Sequence, residues 1–252
     1  MLAAHQLWQT LIKNLAISVL LFTCLLGILW LIEIFFPTLH LLKWDNAAWC
    51  VGIPASIVGV AYVLTIRDPE NYTGFYAGIV MSAMLGVQFL LQHQYDSTLL
   101  YWLIFPAFQI LSIISWQKGK TDNKSSSSTP EFLSMKMMLI SLLVFIAVTI
   151  ADYAIVTLIV EKNGFGENIW TKLLNALLIS SSVLANFWLI YRKTDAWVYW
   201  IIYSIAGVAL FILIGNIFSV VLFVFFLVIN SMAGWSWISC SINSTNFSRA
   251  SS

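Results

Sequence analysis

Asn186-Phe-Trp188-Leu-Ile-Tyr-Arg192-Lys193-Thr-Asp-Ala-Trp197-Val-Tyr-Trp200-Ile-Ile-Tyr-Ser204 joins one apolar run to another through a basic turn. A helix carrying Asn186 ends at Arg192-Lys193, and a second opens on Trp197-x-x-Trp200. Two cations between hydrophobic helices, flanked by tryptophans, describe a hairpin whose tip lies at a membrane surface.

Composition agrees with that reading. Of 252 residues 60% are hydrophobic and only 9% charged, whereas a soluble domain keeps about a quarter of its residues charged. A water-facing surface cannot be assembled from this chain, so the fold class is an all-α polytopic membrane protein in a lipid bilayer. The net charge of +1 argues against nucleic acid as a partner. Cys24, Cys50 and Cys240 lie in or beside apolar runs without metal-ligand spacing and read as small hydrophobes, with no metal and no cofactor implied.

A bilayer core about 30 Å thick needs roughly 20 helical residues. Eight runs meet that length: Leu15–Phe36, Trp49–Ile66, Thr73–Leu91, Leu99–Trp116, Phe132–Val160, Trp170–Tyr191, Trp197–Ile214 and Ile217–Ile238. The first is too long for a signal-peptide core and lacks a small-residue cleavage site, so it counts as a span. Alternate loops then hold Lys13, Arg67, Lys118, Lys120, Lys124, Lys136, Arg192, Lys193 and Arg249 on one side, against Lys43, Lys162 and Lys172 on the other. Nine cations against three predict that both termini are cytoplasmic.

A shift of 121 positions lays Trp49–Trp116 over Trp170–Trp237 without a gap. Tryptophan falls on tryptophan at both ends, Gly86-Val87 on Gly207-Val208, and Gln109 on Asn230. Each copy holds three spans and one span separates them, so the copies run in the same direction, as parallel transporter repeats do. The expected organisation is an extra N-terminal transmembrane helix and loop over 1–48 and a first three-helix repeat over 49–117. A Ser-rich linker and connecting helix follow over 118–169, then a second repeat over 170–238 and a disordered tail over 239–252.

Inside hydrocarbon an amide needs a partner or a cavity. Asn175, Ser182 and Asn186 share one helical face, as do Trp197, Trp200, Ser204 and Gly207, and Gln88, Gln109 and Asn230 add further amides. An uncharged slot of tryptophan and amide suits a flat, hydrogen-bonding, neutral or cationic small-molecule substrate. The bland alternative is that these amides only join helix to helix in a non-transporting scaffold or receptor subunit. Asp152, beside Thr149 and Tyr153 on one face, reads as interfacial rather than as a proton site. His5, His40 and His93 stand far apart, and no nucleophile, zinc or phosphate-loop motif occurs, so an enzyme is not expected.

Arg192-Lys193-x-x-x-Trp197-x-x-Trp200, two repeats that each close on tryptophan (Trp116, Trp237), and the three-plus-one-plus-three plan resemble the PnuC family over about residues 49–238. These are bacterial transporters of nicotinamide riboside and related vitamin nucleosides. The resemblance implies a SWEET-like fold in the inner membrane, and uniport with a cytoplasmic kinase trapping the nucleoside. It also implies a substrate site drawn from Trp197, Trp200, Ser204, Gln88, Gln109, Asn175, Asn186 and Asn230. Asn175 stands where the family pattern suggests Asp, and Ser204 where it often has Asn; thiamine and other nucleoside transporters of the family differ at such positions. Oligomeric state, a homo-oligomer included, is left open.

Overall fold

A computed structural model describes residues 2–37, 46–92, 95–121, 129–159 and 168–250. His40, Lys43, Trp44, His93, Lys124, Ser125–Ser128 and the segment from Glu161 through Gly166 lie outside the described residues. The elements are α1 (Leu2–Phe35), α2 (Ala47–Ile66), α3 (Gly74–Leu91), α4 (Tyr95–Leu99), a π-helical turn (Leu100–Ile104), α5 (Phe105–Thr121), α6 (Met135–Ile159), α7 (Ile169–Ile190), α8 (Ala196–Leu213) and α9 (Ile217–Ala250). Among the described residues eight helices are long and apolar enough to cross a membrane, with α4, the π turn and α5 forming one of them.

Helices α2, α3 and α5 pack as one unit and α7, α8 and α9 as another. The units meet along α5 against α7 and α2 against α9, while α1 lies on α2 and α6 on α7. Helices α1 and α6 expose long apolar flanks, such as Leu20, Leu31, Leu139 and Leu143, to the surroundings. Lipid has to cover such flanks. Helices α2 and α7 are the most enclosed, and small residues (Gly52, Ala55, Gly59, Ala176, Ala185) let their neighbours approach.

Local chemistry sets the helix ends. Asn46 and Asn168 cap α2 and α7 by accepting from the backbone N–H groups of Trp49 and Trp170. Pro106 has no N–H to offer the preceding turn, and there the helix widens into the π turn. Helix α7 ends in a paired-carbonyl cap: Arg192 N–H bonds Leu189 O and Lys193 N–H bonds Trp188 O. Arg192 takes φ 51° to make that turn, a left-handed position usually given to glycine.

One expectation is corrected. The residues after Ile238 do not form a disordered tail; α9 runs on to Ala250. No Gly or Pro interrupts it after Gly234, and Ser241 is docked against Thr194 and the Pro130 carbonyl oxygen. The last residues of the linker are docked as well. Glu131 N–H donates to Arg192 O and its carbonyl accepts from Thr194 N–H, its carboxylate forms a 2.7 Å ion pair with Lys193, and Asp195 accepts from Leu133 N–H at 2.7 Å.

Candidate substrate cavity

Arg67, Arg192 and Lys193, at two hairpin tips, lie at one end of the bundle, and this basic end is closed. Trp116 donates from Nε1 to Leu189 O at 2.9 Å, and Trp237 donates from Nε1 to Ile66 O at 3.1 Å. The closing tryptophan of each unit thus ties the first helix of the other. Ser115 adds a bond to Ile190 O, and Arg192 returns one from Nη2 to Trp116 O at 3.1 Å, its guanidinium 4.7 Å from the Trp116 ring centre. Burial lowers the pKa of that guanidinium, and the charge of Glu70 partly offsets the shift. Trp197 stands edge-on to Trp237 at 5.6 Å and fills the notch at Gly234.

Above this plug lies a cavity of about 180 Å³ between the two units. It reaches toward the opposite end, where Trp49, Gln92, Ser97 and Asn216 border it. Among the described residues no Lys, Arg, His, Asp or Glu lines it. Its walls are apolar and aromatic, with a few amides and hydroxyls: Gln88, Asn175, Ser182, Asn230, Tyr62, Tyr101 and Tyr203. Three buried polar atoms of lining residues have no hydrogen-bond partner: Asn175 Nδ2, Trp200 Nε1 and Asn230 Oδ1. Buried polar atoms are nearly always satisfied, so these three are open to a solute in the cavity, whereas others, such as Gln109 Oε1 and Trp197 Nε1, lie outside the lining.

The eight residues singled out from sequence fall into two groups. Trp200, Gln88, Asn175 and Asn230 line the cavity; Trp197, Ser204, Gln109 and Asn186 do not. Trp197 belongs to the basic-end plug, because Trp200 lies almost a turn deeper along α8. Gln109 and Asn186 bond each other across the unit interface, Nε2 to Oδ1 at 2.9 Å, and Asn186 also donates to Ser182 O. Gln109 lies on Gly78, where a Cβ would come within 2.7 Å of its Oε1. Ser204 is fully buried behind Asn230. Asp152, half-buried on α6, is not in the lining.

Sequence reasoning passed over the tyrosines. The hydroxyls of Tyr101 and Tyr203 approach to 3.4 Å from opposite units, and Tyr62 takes a long bond from Gln109. A tyrosine in mid-span, as Tyr203 is, was the available signal, since its hydroxyl needs a partner there. Gly52 is a further support: a Cβ at that position would stand 2.8 Å from Gln88 Oε1.

Six of the eight crossing helices form two units around a part-polar cavity, uncharged among the described residues and shut at one end, an arrangement that fits a small-solute membrane transporter. The family model described as nicotinamide mononucleotide transporter matches residues 49–239, and the chain belongs to that family. The fold is similar to that in the crystal structure of the vitamin B3 transporter PnuC, with a TM-score of 0.61 and 14% identity over 90% of this chain and 92% of that one. That match leaves only about a tenth of the chain uncovered, less than the 48 residues before Trp49, so the likeness extends into the N-terminal segment. No curated protein matches the chain.

Proposed function

We propose that this protein carries nicotinamide riboside across a bacterial inner membrane by facilitated diffusion, with both termini and the basic end in the cytoplasm. The observation that carries the reading is the set of three unpartnered polar atoms on the wall of an uncharged cavity between the units. The pyridinium carboxamide of the nucleoside offers donors and an acceptor to these atoms, and its cationic ring suits the face of Trp200. The family description names the mononucleotide, but a phosphate brings about two negative charges at neutral pH, and the lining offers no cation to meet them. The nucleoside is the better fit.

In this reading the two three-helix units are parallel repeats that rock about their shared interface. On the same reading the conformation described is shut toward the cytoplasm by the paired tryptophans, while a long Tyr101–Tyr203 contact spans the cavity's other half. Phosphorylation of the arriving nucleoside by a cytoplasmic kinase would keep it inside. Calorimetric titration of the purified protein with nicotinamide riboside, thiamine and thymidine tests the assignment. Saturable binding of nicotinamide riboside is expected; binding of thiamine alone moves the cargo to another vitamin, and binding of none overturns the reading.

A further inference from the structure

Asn230, 1% exposed, contributes to the cavity wall from the middle of α9. Its Nδ2 donates to Ser204 Oγ at 3.0 Å and to the Trp200 carbonyl oxygen at 3.4 Å. An amide nitrogen carries two hydrogens, and both are engaged on the α8 side. Ser204 gives its own hydrogen to the Trp200 carbonyl at 2.9 Å, so only lone pairs remain for Asn230. The Trp200 carbonyl can only accept, so it is the amide nitrogen, not the oxygen, that turns toward α8 and Ser204. Oδ1 is left buried with no bond from any described residue. At this point the wall can only accept.

We infer that Ser204, itself outside the lining, sets specificity by locking the Asn230 amide, so that the cavity selects a solute presenting an N–H or O–H there. A carboxamide is taken in preference to the matching carboxylate. The inference rests on the proposed nucleoside cargo and adds which substituent the cavity reads. Asn175 Nδ2 and Trp200 Nε1 are donors, so a carboxamide can answer donor and acceptor together. A carboxylate can answer only the donors, sets its charge against Oδ1, and finds no cation in the lining.

Calorimetric binding of nicotinamide riboside and of nicotinic acid riboside to the purified protein tests this. The unmodified protein is expected to favour the amide by at least about tenfold, the equivalent of one net hydrogen bond. Ser204→Ala releases the Asn230 side chain and brings the ratio close to one, while Ser204→Thr keeps a hydroxyl and restores it. Asn230→Leu also removes the preference, and adding Ser204→Ala to it changes the ratio no further. A Ser204→Ala protein that loses thermal stability but keeps its preference overturns the inference, because the serine is then only structural. Equal binding of both ribosides by the unmodified protein overturns it while leaving the transport reading in place. Binding of neither overturns the proposed cargo and this inference with it.

Discussion

Trp200 offers the cavity two separable things, a ring face and an N–H without a partner. Trp200→Phe keeps the face and removes the donor; nicotinamide riboside binding is expected to weaken by about 1 kcal/mol, several-fold in Kd. Trp200→Ala also removes stacking and cation–π attraction and is expected to cost roughly 2–3 kcal/mol, with calorimetry reading both. Gln109 behaves differently because it faces Asn186 rather than the cavity. Gln109→Leu strands Asn186 Oδ1 in the interior, so thermal unfolding should show a loss of about 1–3 kcal/mol with affinity for the solute nearly unchanged. Composition and helical faces were enough to pick out these amides, since each needed some partner inside hydrocarbon. They could not show which amides bond to one another. Asn186 and Asn230 look equivalent on the page, yet one is satisfied across the unit interface and the other presents a bare oxygen.

Among the helices, closure of the basic end includes two tryptophan N–H groups that reach across the units to carbonyls at the ends of α7 and α2. Trp116→Phe and Trp237→Phe keep the rings and remove those bonds. Each is expected to shift the closed-to-open equilibrium by about 1 kcal/mol, roughly fivefold. A cysteine placed at Asn186, with Cys24, Cys50 and Cys240 replaced, should then react faster with a thiol reagent applied from the side of the basic end. Unchanged labelling in both variants would show that the tryptophans do not hold the gate. The spans themselves were legible from length and hydropathy, and α2, α3, α7 and α8 start and stop within a few residues of expectation. The π turn was not legible: Pro106 marks a break, but whether the helix kinks, stops or widens depends on what packs beside it. The α9 extension was missed for a like reason, because Ser- and Asn-rich composition resembles a tail until Ser241 finds Thr194 and Pro130.

Taken whole, the molecule holds α1 as a buttress rather than as part of the cavity. Asn14 donates to Thr65, the Leu7 carbonyl accepts from Asn71 and Thr73, and Phe22 is buried against Phe225, while no α1 residue reaches the lining. Removing residues 1–36 is expected to lower the unfolding temperature by several degrees, as loss of about 1–2 kcal/mol does in a chain of this size, and to leave solute affinity near normal. Loss of binding together with retained stability would instead make α1 part of the site. The sequence by itself determined the membrane class, the number of crossings and the transporter family's motif. Hydrophobic length and the placing of tryptophans and cations are read by the bilayer one segment at a time, so they are visible along a line. Only the tertiary structure decided that Trp200, Asn175, Asn230 and Gln88 share a cavity while Trp197, Gln109, Asn186 and Ser204 stand outside its lining. That division depends on how each helix is rotated against neighbours from the other half of the chain, and small-residue notches and cross-unit hydrogen bonds set that rotation.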